Sequence, residues 1–412
     1  MYRKIEEEIN NPNYKKLISL NGKIEINASA LGGITIGVIP VKSLISIKRS
    51  NVIIDGSNSE LNITIRDTIN SNWSLFYISD GVENVEFRNM RININIVNSL
   101  NSTRIFSCIY NLSYALKINN CIFNVYCDTQ LNLIGVYSNG YMDLNYDYKT
   151  DNLVVSNCLI RIESNSNLIT YPSKTYGLFI CGSNSVSIQN NFIYSNIRGN
   201  SKEQLAIGVY TSGRYGRFEG NNIKANAMHV EGIEENQGHA TGFINEGMYS
   251  LIIGNNIVGE WASRAIGLEN RGEFSVINAN KILSTHAVVG KTILNTGSKA
   301  NLSNNIVTTT TKNARLIELK ANETIICNNF MEIIPPRSQC NSGCGVYAPD
   351  NLIKDNIIFG NIIKNPVTCG ILSESNIGLI KDNIVISDED VVKQSTTENK
   401  LLFSKLSVYE KI

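Results

Sequence analysis

Two glutamates and an arginine, Glu246, Glu269 and Arg271, fall at matching points of a repeated stretch between Leu205 and Ile282. Side chains of a strand point alternately to its two faces, so position within the repeat sets direction. In each copy a glycine precedes an apolar residue, Val209, Phe243 or Leu268, that should point inward. The second and fourth residues after the glycine then point outward: Tyr210 and Ser212, Ile244 and Glu246, Glu269 and Arg271. Glu246 and Glu269 are therefore expected on adjacent turns of one exposed face, with Arg271 beside Glu246 and Tyr210 one turn toward the N-terminus. Paired carboxylates can divide acid and base duties on a glycosidic bond, one donating a proton and the other acting as base or nucleophile. With a uronate, Arg271 could instead neutralise the sugar carboxylate and ease loss of the C5 proton. The alternative without chemistry is a surface Glu-Arg ladder that ties strands together.

The flanking segments add charge and aromatics. Met228 to His239 carries two of the three histidines and three glutamates, and His239 can serve as an assisting base near neutral pH. Glu235, Arg214, Tyr215 and Trp261 are expected to contact substrate, with Tyr210 as a stacking platform. The loop Gly140 to Tyr148, with three tyrosines and two aspartates, is a further candidate glycan contact or a loop pinned by its rings. The central concentration equally suits a protein-binding patch.

Such a face exists only if the chain coils, and the repeat says that it does. Ala206–Gly213 is followed by Phe218–Ile223, Thr241–Gly247 by Ile252–Ile257, and Ile266–Gly272 by Ile277–Ile282. From glycine to asparagine is 13 residues each time: 208 to 221, 242 to 255, 267 to 280. Extended both ways, the ladder position reads Met90, Cys121, Cys158, Asn191, Asn221, Asn255, Asn280, Asn305, Asn328, Asn356 and Asn383, in steps of 23 to 37 residues. Those steps suit three short strands per coil with variable turns and are too irregular for ankyrin or leucine-rich repeats. Asparagine fits the bend because it tolerates left-handed dihedrals and its amide can bond to the next one in the stack.

With an opening Asn51-Val-Ile-Ile-Asp-Gly56, this punctuation resembles the right-handed parallel β-helix superfamily of pectate lyases, polygalacturonases, alginate-modifying enzymes and phage tailspikes, over residues 40 to 390. The resemblance implies an all-β, right-handed parallel β-helix solenoid of about 11–13 coils with short caps. The expected layout is an N-terminal cap and first strands over 1–40, the β-helix over 41–390 and a C-terminal cap over 391–412. It implies a protein that cleaves or remodels an extracellular polysaccharide, as lyase or glycoside hydrolase, or else a tail-fibre or adhesin-like rod that binds a glycan or protein. A cytosolic scaffold is a third reading. The polygalacturonase motifs are absent, Gly238-His-Ala240 being a partial echo, and so are the calcium and arginine motifs of pectate lyases and the Asp-Pro-His of mannuronan epimerases. No carboxylate cluster points to calcium, and no cofactor is expected.

At 412 residues with no Gly/Ser or Pro-rich linker, one elongated domain is expected. The 37 basic and 36 acidic residues leave +1, which offers no general pull on nucleic acid or anionic membranes. No run reaches the ~18 apolar residues of a membrane span. The charged start, Met1 to Ile9, does not read as a secretory leader, so export by a leaderless route to the outside or a virion is expected, with the cytoplasm as the alternative. The resemblance to tailspikes admits a homo-trimer, without a coiled-coil heptad to support it. Nine unpaired-looking cysteines read as reduced, Cys121 and Cys158 as buried apolar packing, and Cys340–Cys344 as a loop. Residues 2–9 read as a short amphipathic helix over the first coil. Residues 300–390 read as plain scaffold, and Ser395–Glu398 as the capping box of a terminal helix.

Overall fold

A computed structural model describes residues 2–13, 17–19, 22–27, 41–57, 60–66, 71–97, 104–128, 131–140, 150–166, 173–199, 203–229, 238–311, 313–334, 342–349, 354–366, 369–373, 377–386, 392–394 and 407–408. Glu235, the tyrosines of the loop after Gly140, Cys340 and the capping box Ser395–Glu398 lie outside these residues.

Short runs in which Ile, Val and Leu alternate with Asn, Ser and Thr favour strands, because branched side chains fit a pleated, half-buried surface. The strands wind into a right-handed parallel β-helix. Each coil contributes a short strand to sheet A, a sharp bend, a strand to sheet B, a corner, and a strand to sheet C. Stacking like on like fills the interior with columns of one side-chain type. The residues form two compact units, Met1–Arg217 with Ala227–Gly232, and Phe218–Asn226 with Ile233–Ile412.

In the first unit Ile54, Phe87, Ile118, Val155 and Ile188 stack in register along sheet A, all fully buried. The helix Tyr2–Asn10 lies against the edge strand Val41–Ile47, with Ile9 fully buried. The Asn10 side chain donates to the Ser46 carbonyl and accepts from the Lys48 N–H, both at 2.7 Å, and Glu6 accepts from the Ser46 N–H at 3.2 Å. Backbone groups that an open edge would offer to another strand are occupied by these bonds.

In the second unit the matching column in sheet A is Ile252, Ile277, Leu302, Ile326, Ile358 and Ile380. Here sheets B and C are continuous in two 15-residue strands, Asn256–Asn270 and Lys281–Asn295. These turn the corner at Trp261 and His286, both left-handed with φ of 49°. The strand glycines mark where sheet C comes closest to sheet B: a Cβ on Gly242 or Gly267 would lie 2.6 Å from Ile257 Cγ2 or 2.5 Å from Ile282 Cγ2. Gly267→Ala is accordingly expected to cost about 2 kcal/mol by overpacking, measured as a fall in the urea unfolding midpoint.

The bend between sheets A and B carries the asparagine ladder. Asn221, Asn255, Asn280, Asn305, Asn329, Asn361 and Asn383 each pass an amide hydrogen bond to the next, at 2.8–3.0 Å. Two expected positions are corrected, Asn328 to Asn329 and Asn356 to Asn361. The two properties that suit asparagine to the bend belong to adjacent residues. The left-handed residue comes first and is exposed or half-buried, as at Asn304 (φ 56°), Asn328 (φ 54°) and Gly360 (φ 63°); the buried amide follows. In a doublet such as Asn328-Asn329 only the register separates the roles. Asn356 occupies the turn from sheet C to sheet A, where its side chain accepts from the Thr324 N–H at 2.8 Å. In the first unit Cys121, Cys158 and Asn191 share the bend: the Cys158 N–H donates to Asn191 at 2.9 Å, and the Cys121 N–H points at the Cys158 Sγ at 3.4 Å.

Candidate functional site

Outward residues of sheet C, at the position two beyond Gly242 and Gly267 and its register equivalents, form one column per unit. In the second unit the inward residues Phe243 and Leu268 are fully buried, as parity requires, and Ile244, Glu269, Leu294, Glu318 and Tyr347 follow one another in register. The intervening Asn245, Asn270 and Asn295 point inward as a second ladder, bonded at 2.7 Å per step. That ladder is absent from the expectation above, although the spacing of Asn245, Asn270 and Asn295 is regular.

Glu246, Glu269 and Arg271 converge. The Arg271 guanidinium donates through Nε and Nη2 to one oxygen of Glu269, both at 2.8 Å, and through Nη1 to Glu246 on the preceding coil. Glu269 is only 9% exposed because Arg271 lies over it, where parity alone put it in solvent. Burial opposes the Arg271 charge, but the bonds and charge of Glu269, then of Glu246, outweigh this and raise its pKa above the ordinary arginine value. The guanidinium therefore remains a fixed cation between two carboxylates.

The other expected site residues lie elsewhere. His239 pairs in register with Arg264, five residues before Glu269 on the same strand. At about 3.3 Å per residue that is ~16 Å along the strand, too far for proton transfer at the same bond. Trp261 sits at the corner between sheets B and C, its ring stacked on His286 with centroids 4.1 Å apart. Tyr210, Arg214 and Tyr215 belong to the first unit. Arg214 and Tyr215 occupy the turn from sheet C to sheet A, Tyr215 being left-handed (φ 60°) and 59% exposed. Tyr210 ends a column of stacked rings, Tyr77, Tyr110, Tyr137, Phe179 and Tyr210, with centroids 4.7–5.7 Å apart. One of its faces is covered by Phe179. At the other end burial, then Tyr110 and Asp80, push the Tyr77 hydroxyl up to about 12.

Residues 300–390, expected to be poor in charge, hold a buried ionic group. Glu318, two coils beyond Glu269, has a fully buried side chain that accepts from Lys291 at 3.0 Å, Arg315 at 2.5 Å and Lys320 at 3.1 Å. Arg315 also lies over the Tyr347 ring, 4.1 Å from its centroid. Arg315 and Lys320 flank Glu318 on its own coil, but Lys291, its least exposed partner, comes from the preceding coil, where it pairs in register with Arg315, and that contact does not show in the sequence. Among the described residues no three His, Cys, Asp or Glu side chains are grouped to hold a metal, and no helix is long and apolar enough to cross a membrane.

No protein-family model matches the chain, and no curated protein matches its sequence. Among solved structures it is similar to the A-module of the mannuronan C-5 epimerase AlgE6 of Azotobacter vinelandii, at 12% identity over 92% of this chain and 90% of that one, with a TM-score of 0.41. A tailspike mutant of Escherichia coli bacteriophage HK620, in complex with a pentasaccharide, is 11% identical over 92% of this chain and 60% of that one, with a TM-score of 0.43. A DFA-IIIase mutant from Arthrobacter chlorophenolicus A6 is 10% identical over 82% and 90%, with a TM-score of 0.36.

Proposed function

We propose that the protein acts on a uronate-containing polysaccharide at the outer face of sheet C in its second unit, with Glu246, Glu269 and Arg271 as the reacting group. The observation that carries this reading is the single guanidinium held by two carboxylates from adjacent coils. A sugar carboxylate is a competing ligand for that guanidinium. As Arg271 turns to it, Glu246, the more exposed of the pair at 29% against 12% for the side chains, is the carboxylate that acts as base. Glu246 then takes the C5 proton, the C5–H pair forms the C4–C5 double bond, and the glycosidic oxygen leaves C4 with the C4–O pair and takes up a proton from the protonated Glu246 or from water, as Arg271 stabilises the charge on the uronate. Glu269 keeps Arg271 in place. His239 and Trp261 have no part at the reacting bond.

A non-catalytic glycan-binding rod is the second reading, favoured because both carboxylates already engage Arg271. Absorbance of the new double bond, followed on alginate, polygalacturonate and glucuronate polymers, separates the two. Turnover on one of them is expected, and Glu246→Gln should lower it by about a hundredfold or more. Turnover unchanged in Glu246→Gln refutes the assignment, and binding without turnover on every polymer favours the rod.

A further inference from the structure

A second surface of the first unit has its own chemistry. An open trough of about 560 Å³ runs over sheet B across the strands Glu60–Arg66, Arg91–Val97, Ile122–Cys127 and Leu159–Ser166. Its floor is set by alternation: Ile63, Ile94, Val125 and Ile162 are buried, so the residues either side of each point outward. One outward column is Asn62, Asn93 and Asn124; the next is Thr64, Asn95 and Tyr126. The first column is held in place by its own bonds. Asn124 donates to Asn93 at 2.8 Å, Asn93 donates to Asn62 at 2.9 Å, and Asn93 also donates to Glu60. Tyr126 is 38% exposed, and its hydroxyl accepts from Asn165 at 2.8 Å, which fixes the ring. The trough closes at Arg161 and Glu163, which are paired with each other at 2.6 Å.

We infer that this trough is a binding site for a neutral oligosaccharide, separate from the Glu246–Arg271–Glu269 group. Amides and hydroxyls both donate and accept, which matches the two-way hydrogen bonding of sugar hydroxyls. A partly exposed tyrosine held by its hydroxyl offers an apolar face for a pyranose ring. Its one lining cation is neutralised by its one lining carboxylate, so the surface offers nothing to a polyanion. Amides repeat at the coil spacing of roughly 4.8 Å, close to the length of one pyranose unit, so a linear glycan lying along the stack meets one at each coil. Fixed side chains also reduce the ordering cost of binding. The inference does not rest on the proposed function, since it uses different residues in the other unit.

The test is calorimetric titration of the full chain with cello-, xylo-, malto- and mannohexaose, and with hexagalacturonate as the anionic control. At least one neutral hexasaccharide is expected to bind. Tyr126→Ala should weaken it about tenfold, the loss of one stacking contact, and Asn95→Ala measurably, while both variants keep the wild-type unfolding midpoint. Glu269→Gln should leave this binding unchanged, even if the uronate reading fails. The inference is overturned if no neutral hexasaccharide binds, if neither Tyr126→Ala nor Asn95→Ala weakens binding, if the anionic hexamer binds more tightly, or if Glu269→Gln abolishes binding.

Discussion

Glu318→Gln is expected to destabilise the protein by about 3–5 kcal/mol at pH 7, the cost of removing one partner from a buried ionic group. The substitution keeps the volume, so cavity formation contributes little. It removes the charge that three cations share: Lys291, with only 15% of its side chain exposed, and the half-exposed Arg315 and Lys320. Lys291 has the least water to replace the lost carboxylate, whereas Arg315 keeps its place over Tyr347. The same group sets a pH dependence. Burial alone would raise the Glu318 pKa, but the bonds and charge of Arg315 and Lys291 outweigh it and hold it below the ordinary 4.5. A carboxyl with a depressed folded pKa stabilises the fold above its unfolded value and loses that contribution as pH falls through the folded one. The gap between wild type and Glu318→Gln should therefore be widest at neutral pH and should narrow below about pH 4.5. Urea unfolding of both proteins along a pH series measures this, and a gap that is constant or widens on acidification contradicts the ionised assignment.

The coil was legible because it is periodic. An inward residue after Gly208, Gly242 and Gly267 and a repeated bend asparagine are local patterns, and they are enough to place Arg271 beside Glu246 across a coil boundary. What the sequence obscured has a common physical origin: coils of unequal length. Once turns vary, parity within a strand survives but register between strands does not. Asn328 and Asn329 are therefore indistinguishable by spacing alone, and Lys291, the partner of Glu318 on the preceding coil, is not visible from Glu318's own strand. Phe179 falls two residues after Gly177, as Tyr137 and Tyr210 follow Gly135 and Gly208, so the ring column was within reach of the same rule. The amide trough was not, because polar alternation on sheet B reads as ordinary solvation until four strands are aligned. His239 shows the converse error. Proximity in a loop-rich segment suggested a shared site, yet an extended strand carries its residues apart faster than any other regular structure.

The doublet Asn304-Asn305 turns that ambiguity into the second large expected effect. Asn305→Leu should cost about 4 kcal/mol, while Asn304→Gly should be neutral to within about 0.5 kcal/mol. Asn305 is 1% exposed and bonds on both sides of its coil. Its Oδ1 accepts from the Asn280 N–H and side chain, each at 3.0 Å, and its Nδ2 donates to the Ile277 carbonyl and to Asn329, each at 2.9 Å. Leucine fills the same space but takes the acceptor from the buried Asn280 N–H and a donor from Ile277. Each buried polar group left without a partner costs about 1–3 kcal/mol. Asn304, one residue earlier, is exposed and left-handed at φ 56°, and its amide donates to Asn278 on the surface at 2.9 Å. Glycine adopts that dihedral without strain, so the loss of one solvated bond is offset by conformational ease. Thermal and urea unfolding of the two single variants decide the matter. Equal sensitivity at 304 and 305, or a greater cost at 304, would mean that the bend is held by its dihedral and not by the amide column.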